Sequence, residues 1–224
     1  MRNLFCAAVL LTTAIFFGTA RAAEVVPVNY MGDENLIYPF ILTENRDAEK
    51  KINAEIDAEI KKFLAGVEET AADGNFSQKT VTINYEIPCN YEFGILSVIL
   101  IEYVNFRETA HPSIFCRALN FNSDSGQRIF SDSLSEIAND ENGESCYSPK
   151  NLTLKLKKYA AENNIHLYED FQELTKIPDD FYFDKDLHVH FIFQQYEFAP
   201  YAAGIIEFDA TPIKSDKRAA PARK

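Results

Sequence analysis

The two histidines of "DLHVH", His188 and His190, form the arrangement in this chain with the plainest chemical capacity. Two residues apart on a strand, they project to one face, where two imidazoles could share a zinc ion. A third ligand would have to come from Asp186 or from distant His111, and the spacing selects neither. Val189, Phe191 and Phe193 take the opposite face, which reads as core, so the histidines are expected at solvent or along a groove. The expectation is an exposed pair, with no metal and no cofactor.

Other catalytic patterns are weaker still. There is no G-x-S-x-G elbow, no phosphate-binding glycine loop and no cysteine in a recognisable catalytic context. Carboxylate pairs such as Asp179–Asp180 are abundant, and none stands out as the acid and base of a glycosidase. No catalytic residue is assigned.

Charge and export signals bound the function next. The 224 residues carry 34 acidic against 22 basic side chains, a formal net charge of -12. That argues against a nucleic-acid partner, which needs a concentrated basic surface. With 46% hydrophobic residues a packed core is within reach. Residues 1–22 read as a signal peptide: Arg2, an apolar stretch from Leu4 to Phe17, then Ala20-Arg21-Ala22. The mature chain is therefore expected to be periplasmic or extracellular, with no stable membrane insertion. Cys6 would leave with the signal, and Cys116 with Cys146 is the expected disulfide, three free thiols being the alternative.

The elements that position these residues read as α+β, an antiparallel sheet with helices packed on one face. "NRDAEKKINAEIDAEIKKFLAGVEE" places Ile52, Ile56, Ile60, Phe63, Leu64 and Val67 on one helical face, with Asn45 as N-cap. "KTVTINYEI", "ILSVILIEYVNF" and "SIFCRALNFN" read as a three-strand meander. A short helix is expected at "SDSLSEIA", capped by Ser131. A long one starts at Ser148-Pro149, and a further helical turn is expected at "YEDFQEL". The closing strands are "FYFD", "HVHFIFQQY" and "IIEFDA", with "YEFAPYAAG" as a shaped turn in which Gly204 takes positive φ. Four segments follow: the signal at 1–22, a strand-helix module at 23–75, a C-terminal domain at 76–210, and a disordered basic tail at 211–224.

"FYFDKDLHVHFIFQQYEFAPYAAGIIEF" resembles the terminal signature of a secreted domain of unknown function. That domain occurs in the extracellular part of lysozyme-sensing anti-sigma factors and ahead of the catalytic domain of some peptidoglycan deacetylases. "GILSVILIEYVNFRETAHPSIFCRALNFNSDSGQRI" is similar to its long strand, His-containing loop and following strand, and "IYPFILTENRDAEKKINAEI" to its N-terminal module. Arg107-Glu108-Thr109-Ala110 replace the family's glycine-rich approach to His111. The resemblance implies an exported, non-enzymatic binding module that recognises a cell-wall glycan or a lysozyme-like protein. Tyr196, Tyr201 and His111, together with His188 and His190, are the candidate ligand-binding residues. A metal-dependent envelope hydrolase or deacetylase using His188 and His190 is the alternative.

Overall fold

A computed structural model describes residues 22–90, 92–139 and 143–212. The signal peptide assigned to residues 1–22 falls, except for Ala22, outside the described residues, as does all of the tail beyond Pro212.

The chain opens with a hairpin of β1 (Glu24–Asn29) and β2 (Ile37–Leu42), in which Pro27 faces Pro39. Two prolines are tolerable because this two-stranded unit consists of edges alone. Helix α1 (Arg46–Asp73) follows, and the Asn45 side chain accepts hydrogen bonds from the Asp47 and Ala48 N–H groups, as an N-cap should. Its Ile52, Ile56 and Ile60 are fully buried.

Strands β3 (Lys79–Asn90), β4 (Ile95–Phe106) and β5 (Ser113–Asn122) form the expected meander, extended by the two-residue β6 (Arg128–Ile129). Alternation divides β4 between two cores. Leu96, Val98 and Leu100 pack with the α1 isoleucines, Ile41, Leu119 and Phe121. Ile99 instead meets Ala118, Tyr182 and Ile192 on the other side. The turn between β5 and β6 presses on the start of α1. A Cβ at Gly126 (φ +69°) would come within 2.6 Å of the Ala48 carbonyl oxygen, so glycine is needed both for its φ and for the close approach.

A third sheet runs in the order β7 (Phe181–Phe183), β8 (Val189–Phe193) and β9 (Ile206–Asp209), all antiparallel. Phe181, Phe191, Phe193 and Phe208 share a core with Leu152 and Leu156 of helix α2 (Pro149–Glu162), which begins at Ser148 and Pro149 as expected. The α+β class and antiparallel pairing therefore hold. Among the described residues, however, the strands form three sheets rather than one, and helices α1 and α2 pack on different sheets.

Two local expectations change. "SDSLSEIA" becomes a 3-10 turn, Ser131–Glu136, with Phe130 in the capping position and Ser131 buried. "YEDFQEL" is not helical. Phe171 packs against Phe198 and the Leu174 N–H donates to Thr153 Oγ1, so packing against neighbours overrides its local pattern.

Cys116 and Cys146 are free thiols. The expected disulfide is absent because the two residues lie on different sides of the third sheet. Cys116 belongs to the cluster of Ile99 and Ile192, whereas Cys146 adjoins Tyr147, which is packed in the α2 core.

Candidate functional site

The closing segment is fastened to β5 by side chains that act in place of a neighbouring strand. Gln194 Nε2 donates to the Cys116 carbonyl while its Oε1 accepts from the Cys116 N–H, both within 3.0 Å. Gln195 Oε1 accepts from the Ile114 N–H, and Asp180 takes the Ala118 N–H and the Arg117 guanidinium. Nearby, Asn120 and Ser97 serve the open edge of β7 by bonding the Phe181 carbonyl and the Phe183 N–H. Buried backbone groups at these edges are thus satisfied without a ladder.

This clamp sets the turn after β8 beside the loop between β4 and β5, and three rings meet there. The His111 ring stacks on Tyr201 at 3.8 Å between centroids with the planes 19° apart. Tyr196 Oη lies 2.7 Å from His111 Nε2, and its ring is 5.7 Å from that of Tyr201. His111 Nδ1 is 3.3 Å from the Pro112 carbonyl, an acceptor, so Nδ1 is placed to donate there. The cluster therefore holds an imidazole stacked on one phenol and bonded to another.

Local backbone explains why the rings meet. Tyr196 has φ +65°, which is unfavourable for a side chain of its size. Gln194 and Glu197 close that turn on each other: the Gln194 N–H donates to Glu197 Oε2 and the Glu197 N–H to the Gln194 carbonyl. Pro200 then starts a 3-10 turn, Tyr201–Ala203, which ends at Gly204 with φ +69° and ψ −154°, a combination suited to glycine almost alone. The positive φ expected at Gly204 is found. Tyr196 is 53% exposed, while His111 and Tyr201 are half-buried, so the cluster has one open side.

His188 and His190 belong to a separate group at the other end of β8. His190 lies on β8 and His188 just ahead of it, and both rings approach Asp184, but unequally: the side chain of His188 is half exposed, and that of His190 is largely covered. His190 stacks on Tyr182 at 4.8 Å with planes 7° apart. Asp184 Oδ2 lies between the two histidines, 3.6 Å from His188 Nδ1 and 3.4 Å from His190 Nε2. Burial pushes the Asp184 carboxyl up. The N–H groups of His188 and Asp186 and the His190 ring outweigh that and hold it below its ordinary range. Tyr182, buried and bonded to Glu207, has its phenol pKa pushed up.

Neither third ligand considered from the sequence joins this pair. Asp186 pairs with Lys185, and His111 sits in the aromatic cluster. Among the described residues no group of three or more His, Cys, Asp or Glu side chains could hold a metal ion. Asp184 was missed because its position depends on the turn through Leu187 (φ +62°), where the Asp184 side chain accepts the Asp186 and His188 N–H groups.

No helix among the described residues is long and apolar enough to cross a membrane. Residues 131–210 match a family model described as a protein of unknown function, DUF3298. The matched span contains Tyr196, Tyr201, His188 and His190 but stops short of His111 in sequence. A solved DUF3298 family protein from Pseudomonas aeruginosa PAO1 is similar at a TM-score of 0.51 and 12% identity, over 84% of this chain and 89% of that one. At that identity the likeness is one of fold. No curated protein matches the sequence.

Proposed function

We propose that the protein is an exported, non-enzymatic binding module of the bacterial cell envelope, and that it recognises a cell-wall glycan at His111, Tyr196 and Tyr201. The observation that carries this reading is the convergence of three rings from two segments distant in sequence, with Tyr196 held exposed on an unfavourable backbone. Strain of that kind clusters at functional sites, where the surroundings over-determine it. An aromatic face offers apolar area to the C–H face of a sugar ring, while the phenol and imidazole polar atoms reach its hydroxyls. The resemblance to secreted envelope domains and the signal-like N-terminus support export. The acidic surface also suits encounter with a basic lysozyme-like protein, the other partner that resemblance implies.

Calorimetric titration of the mature chain with soluble peptidoglycan fragments, and separately with a basic lysozyme, tests the reading. Glycan binding should weaken by about 2 kcal/mol in Tyr201→Ala and in Tyr196→Ala, as for truncated aromatic anchors. Glycan affinity that is absent in the wild type, or unchanged in both folded variants, would sink it. Binding of lysozyme alone would move the assignment to the protein partner.

A further inference from the structure

A second feature shares no residue with the aromatic cluster. Between α1 and strands β4 and β5 lies a cleft of about 280 Å³. Its apolar lining comes from Phe63 and Val67 of α1, Val104 and Phe106 of β4, and Phe115 of β5. Into this lining β4 places a carboxyl group. Glu102 is 2% exposed, and its Oε1 has no hydrogen-bond partner.

Such an atom is costly in an apolar setting, because it has lost water and gained nothing in return. The charged groups around it do not resolve the deficit. Arg117 approaches Glu102 Oε2 only to 4.0 Å, and its guanidinium is engaged with Asp180 at 2.9 Å. Glu59 and Lys62, on α1, pair with each other at 3.2 Å. The neighbouring charges are thus engaged chiefly with one another, and Glu102 keeps only the loose pair with Arg117, its Oε1 remaining unbonded. Burial is the main influence on its carboxyl and pushes the pKa up to about 8, with Arg117 and Lys62 pulling down and Glu59 and Asp180 pushing up.

We propose that this cleft is a binding site for a small apolar amine, its ammonium group at Glu102 and its body against Phe63, Val67, Val104, Phe106 and Phe115. A carboxylate would set a second negative group beside a buried acid, and an alcohol brings no positive charge to favour ionisation of that acid. An ammonium group has three donors, and the Ser113 hydroxyl also lines the cleft as a further acceptor. The proton balance follows directly. The amine enters as ammonium, the Glu102 carboxyl gives its proton to solvent, and the bound state is an ammonium–carboxylate pair. With half-protonation near pH 8, binding at pH 7 releases roughly 0.9 proton.

Titration of the full chain with phenethylamine at pH 7, in two buffers of different ionisation enthalpy, tests the proposal. 2-Phenylethanol and 3-phenylpropanoate serve as neutral and anionic matches of similar size. The amine should bind with proton release close to that value, and both matches should bind at least about tenfold more weakly. Glu102→Gln should weaken the amine by about tenfold and abolish the proton release. The proposal fails if the alcohol binds as well as the amine, or if the amine binds without releasing a proton. It fails equally if no amine binding is detected at about 10 mM, or if folded Glu102→Gln binds unchanged. Should that variant not fold, the two-buffer measurement on the wild type decides alone.

Discussion

Replacing Glu102 by glutamine should change stability in a way that depends on pH and needs no ligand. The Glu102 carboxyl, raised from 4.5 to about 8 by burial, keeps its proton in the folded chain after the unfolded chain has lost it. Between those two values the folded state holds the extra proton, so stability falls as pH rises, by about 1.4 kcal/mol per unit. The accumulated penalty is roughly 3 kcal/mol at pH 7 and about 5 kcal/mol by pH 9. Below the unfolded value both states are protonated and the penalty vanishes. Glutamine keeps the shape and cannot ionise, so Glu102→Gln should be close to wild type at acid pH, apart from a constant offset for its amide. It should then gain steadily towards pH 8. For a chain of this size 3 kcal/mol corresponds to about 6–12 °C in Tm. Urea unfolding of both proteins at intervals from pH 5 to pH 9 gives the difference directly, and other titrating groups cancel in the comparison. A difference that is constant across that range would show that Glu102 is ionised in the folded state and would refute the argument.

Three further outcomes can be checked. Gly204→Val should cost about 1–3 kcal/mol in urea unfolding, because the side chain meets nothing within 4 Å and the penalty is purely that of the backbone. Gln194→Leu should destabilise by about 2–3 kcal/mol, since it strips the Cys116 N–H and carbonyl of their partners, while far-UV circular dichroism stays unchanged. Burial pushes the Cys116 thiol up to about 11 from 9.0, so its alkylation at pH 8 should run about 100-fold slower than that of an unperturbed thiol, as peptide mapping would read.

Much of the architecture was legible because it rests on short-range rules. Asn45 and Ser148-Pro149 announce helix starts through backbone geometry that any neighbour would leave intact. The alternation of Ile83 on β3 and of Leu96, Val98 and Leu100 on β4 states which faces are buried. The pattern does not state what each face meets. The odd positions of β4 could equally have faced helices or solvent, and it is the third sheet that they meet.

The same division runs through the candidate site. The sequence determined that His188 and His190 stand close together at the start of β8, and that Pro200 and Gly204 bound a turn with positive φ at the glycine. Only the tertiary structure decided that His111, from the Arg107–Pro112 segment some 85 residues away from Tyr196, is the ring that turn meets. That encounter depends on Gln194 and Gln195 standing in for a strand along β5, a pairing of amide side chains with backbone that leaves no periodic trace. Glu102 shows the limit most clearly. In sequence it is one more polar residue in a β-branched strand, and its lack of a partner exists only once α1 has closed over β4 and β5.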